Sequence, residues 1–145
     1  MTLKEKNIAR RLNDLKLVAQ YIYARFCQAN TFTGSLCEAI IIDMKDIHKN
    51  IEQFGKIGQI TVDYILSEYE ESVNVKREKL ESVINICNLY LSRMKQMLLA
   101  AKADVSNEDD RLVIQKRDIT VEKGNQFIKA IKELKADVER KLELL

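Results

Sequence analysis

A chain of 145 residues, 46% apolar and 32% charged, can bury one sizeable core and remove roughly 70% of its unfolded surface from water without disulfides or metals. Its 24 basic and 22 acidic side chains leave a net charge of only +2, which argues against strong steering toward a polyanion. Proline and tryptophan are absent and glycine occurs four times, so the chain-breakers of loop-rich and sandwich folds are nearly missing and helix is the default.

The first helix is predicted over 3–29. Thr2 followed by Glu5 has the capping-box pattern, in which the hydroxyl accepts from a free backbone N–H and the carboxylate returns the bond. Ile8, Leu12, Leu15, Ala19, Ile22, Phe26 and Ala29 then alternate spacings of four and three, the 3.5-residue period of a helix packed along a seam. Asn30 to Ser35 ends it, because threonine, asparagine and Gly34 favour turns. The second helix, over 36–70, opens on another capping-box pattern, Ser35 and Glu38. Its inward face reads Ile40, Met44, Ile47, Ile51, Phe54, then Thr61 or Val62, Ile65 and Tyr69. Gly55 and Gly58 interrupt it, but each costs about 1 kcal/mol against alanine, which a packed helix tolerates. A continuous or slightly bent helix is expected.

A turn falls near 70–75, where the pattern loses phase. The third helix, over 74–105, carries Leu80, Ile84, Cys87, Leu91, Met94, Leu98, Ala101 and Val105 in unbroken four-three spacing, with Val83, Leu89 and Leu99 widening the stripe. Ser106 followed by Glu108, Asp109 and Asp110 reads as a cap with acids at the positive end of a new helix. That fourth helix, over 108–144, presents Ile114, Val121, Phe127, Ile128, Ile131, Leu134, Val138, Leu142 and Leu145, and is weakest over 118–125, around Gly124.

Four long helices with short turns predict an all-α fold: an antiparallel up-down-up-down four-helix bundle with coiled-coil-like helices, one domain over 1–145. Residues 1–30 carry a net +4, 36–71 a net −5, 72–105 a net +3 and 107–145 zero. Alternating sign suits sequence neighbours lying side by side.

Catalytic constellations are hard to assemble from these residues. A di-metal carboxylate bundle needs two Glu-x-x-His motifs, and the chain has a single histidine, His48, which reads as a surface residue; it has no specified partner for nucleophilic chemistry either. The glycines 34, 55, 58 and 124 form no phosphate loop. Basic clusters at Arg10 and Arg11, Lys76, Arg77 and Lys79, Lys116 and Arg117, and Arg140 and Lys141 are accompanied by acids, so the nucleic-acid signal is weak. The five tyrosines read as flank residues with buried rings and wet hydroxyls. Cys27, Cys37 and Cys87 are odd in number and lack metal-site spacing, as free thiols in a reducing compartment would be. No apolar run reaches the roughly 18 residues of a membrane span, and the polar start has no signal-peptide core. A cytoplasmic, non-enzymatic protein with no cofactor or metal is expected.

The turn Ala39, Ile40, Ile41, Ile42 covers a whole helical circumference. If Ile40 and Met44 face inward, Ile41 and Ile42 lie about 100° and 200° around the helix. Leu36, Ala39, Ile41 and Ile42 are therefore the candidate interface with another protein or a second copy; coverage inside a wide core is the competing reading. Function by protein–protein interaction follows, as adaptor, assembly factor, chaperone or inhibitor, with a helical regulator of a small ligand or nucleic acid as the alternative.

Overall fold

The computed structural model describes residues 2–31, 35–104 and 110–145, with backbone alone at 103 and 104. Within them lie four helices, α1 (Leu3–Ala29), α2 (Ser35–Glu68), α3 (Val73–Asp104) and α4 (Arg111–Glu143), and no strand. At about 1.5 Å per residue they are about 40 to 51 Å long. The Thr2 hydroxyl accepts from the Glu5 N–H at 3.2 Å and Glu5 Oε2 accepts from the Thr2 N–H at 3.4 Å, the reciprocal bonds of a capping box. Ser35 is the first helical residue of α2, so the cap of that helix lies outside the described residues, as does the cap expected at Ser106. At α4 the cap is Asp110, whose Oδ1 accepts from the Leu112 N–H at 2.8 Å. Ser72 Oγ accepts from Val75 N–H at 3.4 Å where the α2–α3 turn enters α3.

Chain direction alternates from helix to helix, and the cross-helix contacts fix the register. Lys4 lies over the Tyr69 ring, Arg11 over Tyr64, and Arg25 pairs with Asp43, so α1 and α2 are antiparallel. Gly124 faces Leu98 and Cys87 feels Lys135, which makes α3 and α4 antiparallel. His48 meets Gln126, Phe54 meets Phe127 and Asp63 meets Lys141; both numbers rise together, so α2 and α4 are parallel neighbours. Tyr23 with Tyr90, and Asn30 with Met97, show the same for α1 and α3. The order around the bundle is therefore α1, α2, α4, α3, with α2 and α3 on a diagonal. The acidic second segment sits between α1 and α4, and its turn to α3 crosses the bundle end.

The inward face of α1 is Ile8, Leu15, Ala19, Ile22, Phe26 and Ala29, as its period predicts, with Leu12 half-buried. On α3 the buried set is Leu80, Val83, Cys87, Tyr90, Met94, Met97, Leu98 and Ala101. Ile84 and Leu91 lie at its flank, and Leu89 and Leu99 point to solvent. On α4 the first half departs most from expectation. Val113, Lys116, Thr120 and Gly124 are buried where Ile114 and Val121 were expected. The seam there runs through a lysine, a threonine and a glycine, residue types that a search for apolar period passes over.

All three described glycines lie inside continuous helices. At Gly124 a Cβ would come within 2.6 Å of Leu98 Cδ2, and at Gly58 within 2.5 Å of Leu134 Cδ2. These two positions are knob holes: each admits a leucine from the facing helix. A Cβ at Gly55 meets nothing within 4 Å.

This difference yields opposite expectations. Gly55→Ala gains helix propensity without a clash and stabilises by about 0.5–1 kcal/mol. At Gly58 the same change also crowds Leu134 Cγ at 3.3 Å, so turning the isobutyl end does not clear it. Overpacking of about 1–3 kcal/mol then outweighs the propensity gain. Urea midpoints are expected to rise for Gly55→Ala and fall for Gly58→Ala.

Candidate functional site

The inward seam of α2 begins Cys37, Ile41, Met44, Ile47, Ile51, Phe54, with spacings of four, three, three, four and three, and Ile41 lies in the core at 5% exposure. The expectation that Ile40 leads this seam is corrected: Ile40 is half-buried and packs at the core's edge. Shifting the seam by one residue rotates the turn by about 100°. Of the four candidate interface residues, Ile41 is thus interior, while Leu36 (53% exposed), Ala39 and Ile42 (58% exposed) share the outer face at i, i+3, i+6. Glu38, Asp43, Lys45, Asp46 and Lys49 are exposed around them, and Asp43 Oδ2 lies 3.6 Å from Arg25 Nη1. This is an apolar turn inside a mixed-charge rim.

Further along α2, His48 is half exposed and bridges two helices. Its Nε2 is 3.0 Å from Glu52 Oε1 and its Nδ1 is 3.1 Å from Gln126 Oε1 on α4. These side chains close one end of an open trough of about 660 Å³ between α2 and α4, floored by Ile51, Gly55 and Ala130 and walled by Lys56, Gln59, Lys129 and Glu133. A Cβ at Gly55 would meet nothing within 4 Å, so the floor is open at that residue. No group of three or more histidine, cysteine or acidic side chains able to hold a metal occurs among the described residues.

The tyrosines do something the sequence did not reveal. Tyr64 is capped by Arg11 at 4.2 Å from the ring centroid, Tyr69 by Lys4 at 5.4 Å, and Tyr21 by Arg25 at 5.5 Å. Arg93 of α3 lies 5.8 Å from the Tyr23 ring and 5.5 Å from the Tyr90 ring. Lys4, Arg11 and Arg25 fall on one heptad position, a spacing legible in the sequence; Tyr69 and Tyr64, the partners of Lys4 and Arg11 on α2, depend on the antiparallel register, whereas Tyr21 lies one turn before Arg25 on α1 itself. Burial raises the Tyr69 phenol above its ordinary value, and a hydrogen bond with Cys27, together with burial, raises Tyr23. Asp137 is disfavoured by burial yet held below the usual carboxylate value by the hydrogen bond and charge of Lys141 and then of Arg140.

Of the three cysteines, Cys27 is half-buried and Cys37 and Cys87 are buried. Burial pushes the Cys87 thiol up to about 12, which keeps it protonated and unreactive at neutral pH. The chain matches no protein-family model, no curated protein and no solved structure. No helix of the described residues is long and apolar enough to cross a membrane.

The Cys87 shift has a measurable consequence. Unfolded chains lose the thiol proton from the ordinary value of 9.0, folded ones only near 12. Between those limits the unfolded state binds fewer protons, so stability is complete below about pH 9 and falls as pH rises toward about 12. Wild type is therefore expected to lose more stability than Cys87→Ala between about pH 7 and about pH 10.5, read as the change in urea midpoint. Equal losses in the two proteins contradict a water-excluded thiol.

Proposed function

We propose that this chain is a non-catalytic cytoplasmic protein that acts by protein–protein interaction, as an adaptor, assembly factor, chaperone or inhibitor. Its contact surface is the outer face of the first turns of α2, and the supporting observation is the joint exposure of Leu36, Ala39 and Ile42 there. Burying a leucine or isoleucine fully is worth about 1.5–3 kcal/mol, so two such side chains on one face supply a substantial association energy. The rim of Glu38, Asp43, Lys45, Asp46 and Lys49 keeps that turn soluble when unpartnered and sets the register of whatever covers it. The occupant is another protein or a second copy of the chain.

The alternative, a helical regulator that takes a small ligand, draws on the trough at Gly55. It requires a specific thermal shift from a ligand panel that Gly55→Leu, which fills the floor, abolishes.

Ile42→Glu tests the main reading cleanly, because the residue is outside the core. The variant should keep the wild-type helix content and melting curve, while the associated species seen for wild type by light scattering, or the partner captured from source lysate, is lost. A wild-type chain that stays single at high concentration and captures no partner removes this reading.

A further inference from the structure

We propose that the seam between α1 and α3 is a docking groove for an acidic amphipathic helix of a partner protein. This surface is separate from the outer turn of α2 and does not depend on it. Of the four sides of the bundle, three are closely packed, and α1 and α3 make the loosest contact. Tyr23 and Arg93 lie at that seam, since the guanidinium of one helix sits over the ring of the other. Helical period then places Lys16, Gln20 and Cys27 with Tyr23 on the α1 wall, and Ile86 and Leu89 with Arg93 on the α3 wall. Tyr23, Cys27 and Ile86 are half-buried and form an apolar floor; Lys16, Gln20, Leu89 and Arg93 are exposed at the rim.

Charge selects the occupant. The sequence has no aspartate or glutamate from Leu15 to Cys37 and none from Ser82 to Ala103, so both walls are free of acids. The ion pairs of the described residues lie on α2 and α4, with Arg25 the one contribution from α1 and none from α3. Lys16 and Arg93 thus stand at an apolar groove with no carboxylate partner. An amphipathic helix laid along the seam fills the floor with its apolar stripe and brings acids to both cations. The wall from Lys16 to Cys27 spans about 16 Å, some three turns of such a helix. A phosphate backbone would meet only two seam cations over that length, too sparse a row for counterion-driven binding.

The probe is a synthetic helical peptide of about 21 residues with leucines at a and d and glutamates elsewhere, beside a counterpart with lysines in place of glutamates. Fluorescence anisotropy should show binding of the glutamate peptide alone. Lys16→Glu and Arg93→Glu should each weaken it about fivefold or more. Arg93→Gln, which keeps a side-chain stem over the rings, should weaken it in the same sense, and Ile42→Glu should leave it unchanged. Amide shift changes should gather over 16–27 and 86–93. The proposal is overturned if the glutamate peptide does not bind, if the lysine peptide binds equally, if the seam variants have no effect, or if the shifts map elsewhere. Tighter binding of oligothymidine or of phosphatidylglycerol vesicles at the same residues overturns it in favour of those partners.

Discussion

The parallel contact between α2 and α4 is the constraint from which the rest of the bundle follows. Phe54 and Phe127 meet edge to face with centroids 5.3 Å apart and planes at 84°, a geometry worth about 0.5–1.5 kcal/mol beyond the area it buries. One turn further along, Leu134 occupies the hollow left by Gly58. Once these two helices are neighbours, two antiparallel hairpins cannot be arranged as a simple meander. Helix α3 must take the corner diagonal to α2, and α1 and α3 are left to close the fourth side.

Electrostatics runs with that order on one side and against it on the other. The acidic segment of α2 lies between cations of α1 and α4: Arg25 reaches Asp43, and Lys141 lies 3.6 Å from Asp63 and 3.0 Å from Asp137. Opposite, the +4 of residues 1–30 lies beside the +3 of residues 72–105. Exposed charge pairs are worth about 0–1 kcal/mol each, whereas a buried aromatic or leucine contributes about 1.5–3 kcal/mol. Core fit therefore overrules the charge order that the sequence suggests. The like-charged side is also the loosely packed one, and Arg93 is accommodated there by lying over two tyrosine rings rather than beside a carboxylate.

Two kinds of unpartnered surface result, with different physical origins. The outer turn of α2 exists because four apolar residues follow one another and a seam can absorb only part of a turn. The α1–α3 groove exists because of topology: two helices that carry few acids are brought side by side although they are far apart in the chain. The first can be located from a single helix. The second has no meaning until the pairing is known.

Period and capping chemistry were enough to determine the all-α class, the Thr2–Glu5 start of α1, and the inward faces of α1 and the second half of α4, because these depend on residues within a few turns of one another. They were not enough to choose Ile41 over Ile40, since four consecutive apolar residues satisfy several phases equally. Nor could they find the buried seam through Lys116, Thr120 and Gly124, where Leu98 of α3 occupies the space beside Gly124. An amphipathic stripe states that a face is buried without stating against which helix. That choice was left to shape complementarity between Phe54, Gly58, Phe127 and Leu134, residues more than seventy positions apart across the pair, and such fit is decided only in three dimensions.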